Sequence, residues 1–263
     1  MARTHRKPLP FKYGCKGALF GIYAVLGAVL ATGAHAAEFD INGMQLGMNA
    51  DQVVARYQEL RPEGQYSFSK WKLPEGSEWV ANGRTLYNDI ANPDDMEHER
   101  MQFAFTDLGS GNELFAVRRE LKFRPSQRPT TESIYAAAVQ KYGQPSISDR
   151  NDTGAWAAWK FSAVDAPAEK LESPLGCIGT SDFPVGLDDH TAGKAEKSAE
   201  FCGLYIELTV RGDQTGLANE IDMAMMNHLD LVRDFDADNQ DARRRIDAAK
   251  AKNTGSAAPA PEL

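Results

Sequence analysis

Residues Met101–Phe123 read MQFAFTDLGSGNELFAVRRELKF, and the stretch has a period of two. Met101, Phe103 and Phe105 alternate with Gln102, Ala104 and Thr106. Phe115, Val117, Leu121 and Phe123 alternate with Arg118, Glu120 and Lys122. Successive side chains of a strand point to opposite faces, so each run is a strand with one apolar and one polar face. Asp107–Asn112, DLGSGN, supplies turn residues between them, and the pair is a β-hairpin. Arg119 breaks the pattern by falling on the apolar face. That makes it a candidate binding-surface residue; the plainer reading is a long basic side chain that pairs with an acid or snorkels to the sheet edge.

Working outward, the same period returns. Leu204, Ile206, Leu208 and Val210 alternate with polar neighbours, and after Gly212 a partner strand carries Ile221, Met223 and Met225. Trp156–Phe161 (WAAWKF) is a further candidate strand. Upstream the period is helical. Val53, Val54, Tyr57 and Leu60 share one stripe. Asn49 fits the N-cap of that helix, and Gln52 three residues on completes a capping-box pair. Gly43 and Gly47 turn a short strand at Phe39–Ile41 into it. A second helix spans Thr131–Tyr142 and stops at Gly143, with Pro145 beyond. A third, polar helix is expected at Asp238–Lys250. Leu171–Phe201 lacks periodicity and reads as a long loop. The fold class is therefore α+β: an antiparallel β-sheet with helices packed on one face and the other face more solvated. The order suggests two related tandem halves, 37–125 and 126–252, with 253–263 a disordered tail.

The first 36 residues read as a signal peptide. Arg3, Arg6, Lys7, Lys12 and Lys16 precede an apolar run of 14 residues, Ala18–Ala31, and Ala34-His35-Ala36 is a small-x-small cleavage pattern. The run is short for a membrane span, so no span is expected after cleavage. Cys15 lies before the run, where it cannot become a lipidated N-terminus. A periplasmic chain beginning near Ala37 is the expectation. Cleavage removes five basic residues and takes the net charge from −8 to −13. Such a chain repels phosphate backbones, and no nucleic-acid partner is expected. Cys177 and Cys202 then remain, and in an oxidising compartment an even pair reads as a disulfide. A metal pair would recruit His190, Asp188 or Asp189, and a redox pair would need C-x-x-C, which is absent.

The motifs of chemistry are weak. G-x-S-x-G, H-E-x-x-H and a paired S-x-x-K are all missing. Gly186–Lys194 has six residues between its glycines and Ala195 after the lysine, which fails the phosphate-loop spacing. Asp234–Asn239 begins like a calcium loop, but Arg245 holds the position that needs a bidentate acid. Asp94–Glu99 is dense in acid and reads as a solvated run, as does the charged Asp241–Arg245 helix face. No residue is assigned to catalysis, to a cofactor or to a metal. The competing reading is a periplasmic hydrolase whose site assembles from dispersed residues around His98, His190 or His228.

Gly47-Met48-Asn49-Ala50-Asp51-Gln52-Val53 resembles the G-M-t-x-x-x-V helix entry of the SmpA/OmlA, or BamE-like, envelope lipoproteins. Tyr142-Gly143-Gln144-Pro145 followed by Trp156–Trp159 looks like the ending of the same family. β-lactamase-inhibitor-protein domains are similar in architecture. The resemblance implies helices on an antiparallel sheet and a non-catalytic role in binding an envelope protein or other envelope component.

Overall fold

The computed structural model describes residues 39–88, 95–161, 177–184 and 186–255. The proposed signal peptide, Asp94 of the acidic run, residues 171–176 of the expected loop and tail residues 256–263 lie outside them. In chain order the elements are α1 (Ala50–Leu60), β1 (Gln65–Lys72), β2 (Glu78–Asn88), β3 (His98–Phe105), β4 (Leu114–Lys122), α2 (Thr131–Tyr142), β5 (Ile147–Asn151), β6 (Gly154–Phe161), α3 (Asp189–Cys202), β7 (Leu204–Gly212), β8 (Ala218–Asn227) and α4 (His228–Gly255). The eight strands of the described residues form one antiparallel sheet in the order β1-β2-β3-β4-β8-β7-β6-β5. A helix followed by a four-stranded meander thus occurs twice. The meanders join where β4 pairs β8, from Ala116↔Met226 to Lys122↔Glu220. In the second, α3 is inserted between β6 and β7.

The entry to α1 is built as its residues dictate. Asn42 and Gly43 both hold positive φ, and Ile41 and Met44 exchange backbone hydrogen bonds around them, a two-residue hairpin turn. Asn49 caps α1: its side chain accepts the Gln52 N–H at 3.0 Å, and the Gln52 side chain accepts the Asn49 N–H at 2.9 Å. Val53 and Tyr57 of α1 and Ala138 and Tyr142 of α2 then bury against Met101, Phe103, Val117, Trp159, Ile206 and Met225. This is the main core, on one face of the sheet. The Trp159 indole N–H donates to the Gly143 carbonyl at 2.8 Å, and the Tyr142 hydroxyl to the Asp40 carbonyl at 2.7 Å.

The opposite face departs from expectation in being partly roofed. Ala104, Ala116 and Met226 point that way and pack under Ala192 and Ala195 of α3 and Leu231 of α4. α3 occupies much of the stretch expected to be loop. Its inward stripe is Ala192, Ala195, Ser198 and Ala199, small residues that give little hydrophobic periodicity although they permit close packing. α4 begins ten residues earlier than expected and runs three residues into the expected tail. Leu231, Phe235 and Asp238 place its buried side at helical spacing, and the Asn227 side chain accepts the Leu229 and Asp230 N–H groups at its start. Phe115 also differs. The register shifts between Ala104 and Phe105, so Leu114 joins Phe105 in the main core while Phe115 turns under α3 and α4. No helix among the described residues is long and apolar enough to cross a membrane.

Candidate functional site

Beyond the roof of α3 and α4 no described element covers the second face, and its residues are the polar halves of the alternating strands. The register stacks them in rows. Leu86, Arg100, Glu120, Asp222 and Thr209 lie side by side across β2, β3, β4, β8 and β7. The next row is Asn88, His98, Lys122, Glu220 and Arg211. Opposite charges on adjacent strands then pair. Arg118 grips Asp222 with two hydrogen bonds, 2.9 and 2.7 Å, and reaches Glu120 at 2.7 Å. Arg100 meets Glu120 at 2.6 Å, and Arg211 bonds Glu220.

These pairs set the titration of the face. The Asp222 hydrogen bonds raise the Arg118 pKa above its ordinary value. Burial pushes the Glu120 carboxyl up, but Arg100 and Arg118 together hold it below the usual carboxylate range. Asp222 is almost wholly buried. A paired carboxylate with that little solvent is fixed in place: removing Arg118 would leave an uncompensated charge. The middle of the face is thus lined with paired charges.

Towards β1 the same face opens into a groove of about 480 Å³ lined by Gln65, Ser67, Arg84, Leu86, His98 and Arg100, among others. Arg84 donates to Ser67 Oγ at 3.3 Å. His98 Nδ1 is bonded to Asn88 Oδ1. The outward-facing strand residues here include cations but no carboxylate; acid begins at Glu120 on β4.

Arg119 lies on the other face, among the main core. Its Nε donates at 2.5 Å to Glu99, which is fully buried and also takes Arg61 Nε at 2.7 Å. Arg61 in turn stacks over Tyr87 and bonds Glu97. Arg119 is therefore part of a half-buried charge network centred on Glu99, on the face opposite the open one.

Cys177 and Cys202 form the disulfide, with Cα atoms 5.6 Å apart. Two polar groups hold the chain around it. His228 is fully buried; the Ile178 N–H donates to its Nε2 at 2.9 Å, and its Nδ1 lies 3.2 Å from the Gly203 carbonyl. Burial pushes its pKa down to about 4, with the Lys160 charge acting in the same direction. Glu207 accepts from the Thr180 N–H and hydroxyl and from the Trp156 indole at 3.0–3.1 Å. A Cβ on Gly179 would sit 1.9 Å from Glu207 Oε2, so a side chain there would displace the Glu207 carboxylate from these bonds.

The acidic strings have structural partners. Asp234–Asn239 is helix, and Asp238 turns inward to accept the Asp107 and Ser110 N–H groups at 2.7 and 2.6 Å, tying the β3–β4 turn to α4. Burial and the Asp238 charge push the Asp107 carboxyl up to about 6. Asp95 accepts the Ser126 N–H at 2.8 Å. Asp188 caps α3 through the Thr191 N–H at 2.7 Å, so Gly186–Lys194 is a helix entry. His190 is exposed on α3. Among the described residues no group of three or more His, Cys, Asp or Glu is placed to hold a metal.

Sequence reasoning missed Arg84, Arg100, Glu207 and Asp222 as site residues. The signal was present in the polar positions of each alternating strand, but which charges meet depends on the strand order, and the β4–β8 seam joins residues about a hundred apart. No protein-family model, curated protein or solved structure matches the chain.

Proposed function

We propose that this chain is a non-catalytic binding or scaffolding protein of the bacterial envelope, exported to the periplasm, whose open sheet face contacts a protein partner. The observation that carries this is the face itself. Charged side chains are held in pairs across β3, β4, β8 and β7 and along β4, and among the described residues no element covers them. A pre-ordered surface of that kind presents fixed charges at small ordering cost, which favours orientation and selection of a charged partner. The leader-like first 36 residues and the Cys177–Cys202 disulfide support export to an oxidising compartment. Of the histidines that a hydrolase would recruit, His228 is engaged through both ring nitrogens with backbone, His98 is bonded to Asn88, and His190 stands exposed on α3.

Photocrosslinking in cells tests the reading. Benzoylphenylalanine would replace Gln102 or Thr209 on the open face, or Ala137 on the exposed side of α2. A discrete adduct with another protein from Gln102 and Thr209, and none from Ala137, is expected. Adducts from Ala137 alone would put the partner on the helix-covered side and refute the proposal.

A further inference from the structure

We infer that the outer edge of β1, with the groove beside it, is a strand-addition site for an extended acidic segment of another protein. This rests on the partner-binding reading and gives it a mode and a chemistry. β1 ends the sheet, and among the described residues no strand pairs with its outer side. Every residue of β1 is exposed except Phe68, which is half-buried. Edge strands present unpaired N–H and C=O groups, and proteins guard them with lysine, proline or bulges. The guards of β1 stand at one end only: the register shift at Ser69/Lys70, then Lys70 and Lys72. Gln65–Ser69, QYSFS, has no charge and no proline.

That unguarded half is the half that borders the groove. An added strand would lie roughly 10 Å from β2, two strand spacings away, with alternate side chains on the groove face. Ser67 stands between and is small, so a carboxylate on the added strand and the Arg84 guanidinium can meet above it. Arg100, which Glu120 already holds, and His98 lie one strand further in, and among the described outward-facing strand residues no carboxylate comes before Glu120, which leaves Arg84 as the cation for the added strand. Exposed Leu86 offers the same groove one apolar contact. In a chain of net charge −8, a groove that sets Arg84 beside an open edge, its described outward-facing strand residues carrying no carboxylate before Glu120, is complementary to an acidic strand.

The test uses the full chain in cells, with benzoylphenylalanine in place of Ser69 on β1 or of Thr209 on β7, and mass mapping of each adduct. The expected result is a Ser69 adduct to another protein, at a stretch with acids at alternating positions. Its yield should fall by roughly fivefold in an Arg84→Glu background of unchanged melting temperature, since that charge steers and holds the strand. An adduct to a second copy of this chain, to a segment without acids, or of undiminished yield in Arg84→Glu would overturn the inference. An adduct from Thr209 without one from Ser69 overturns it too, and leaves the open-face reading standing. No adduct from either position removes both.

Discussion

Asn49 stands at the start of α1 with its side chain on the Gln52 N–H, and Gln52 returns the bond. Both were legible because the capping box is a rule about neighbours in sequence. The pair is exposed, so Asn49→Ala should lower stability by about 1 kcal/mol, read from denaturant melts, and leave partner binding unchanged. His228 was legible only as a histidine; its role depends on Ile178, Gly203 and the disulfide around it. Its folded pKa of about 4 lies below the ordinary 6.5, so the folded state favours the neutral ring. Its contribution is complete above pH 6.5, declines as pH falls towards 4 and is absent below. The span corresponds to roughly 3 kcal/mol. Asp107 works in the opposite sense: its carboxyl is raised to about 6, so the folded state gains a proton first and is favoured as pH falls from 6 to 3.8. The two slopes offset each other in the native chain. The comparison to make is with His228→Gln, whose stability deficit at pH 7 should shrink by roughly 3 kcal/mol at pH 4. Lys160 and Tyr205 face the same ring, and neither is removed by that change. A deficit that stays constant across pH would show that the ring is not held neutral.

Among the elements, the ones with a strong apolar rhythm were readable: β3, β4, β7, β8, α1 and α2 stand where the periods put them, and β6 covers the candidate strand Trp156–Phe161. The others hide for definite reasons. β1 is an edge strand with almost nothing buried, and β2 mixes Gly83, Asn82 and a bulge into its alternation. α3 buries alanines, whose periodicity carries little signal. Its hold on the sheet should lean on the disulfide. A loop of about 26 residues closed by one crosslink is worth roughly 3 kcal/mol in the chain-entropy account. A Cys177→Ser/Cys202→Ser variant should therefore lose roughly that much stability. Amide exchange should rise first in α3 and 177–184, with α1 and α2 least affected. Equal loosening on both faces of the sheet would show that the roof and the main core are one cooperative unit.

At the scale of the whole chain, two meanders share one sheet through β4 and β8, and only that seam gives the open face its rows. Arg118 finds Asp222 across it, a pairing no local pattern could announce, whereas the antiparallel α+β class followed from strand rhythm alone. The seam also separates the cationic groove near β1 from the paired acids of β8. A partner that reads this face should be sensitive to the exposed charges on it. Lys122 and Arg211 are both well exposed and share Glu220, so the pairs themselves contribute little to the fold, and the like charges that reversal sets opposite Glu220 are the cost that the melting temperature checks. The direct measurement is capture from an envelope extract by the native chain, by Lys122→Glu/Arg211→Glu, and by Lys141→Glu on α2 as control, each of verified melting temperature. The double variant should lose the partner by about tenfold, near 1.4 kcal/mol of binding, while the α2 variant keeps it. Equal capture by all three, or loss only with Lys141→Glu, would contradict the assignment of the open sheet face as the binding surface.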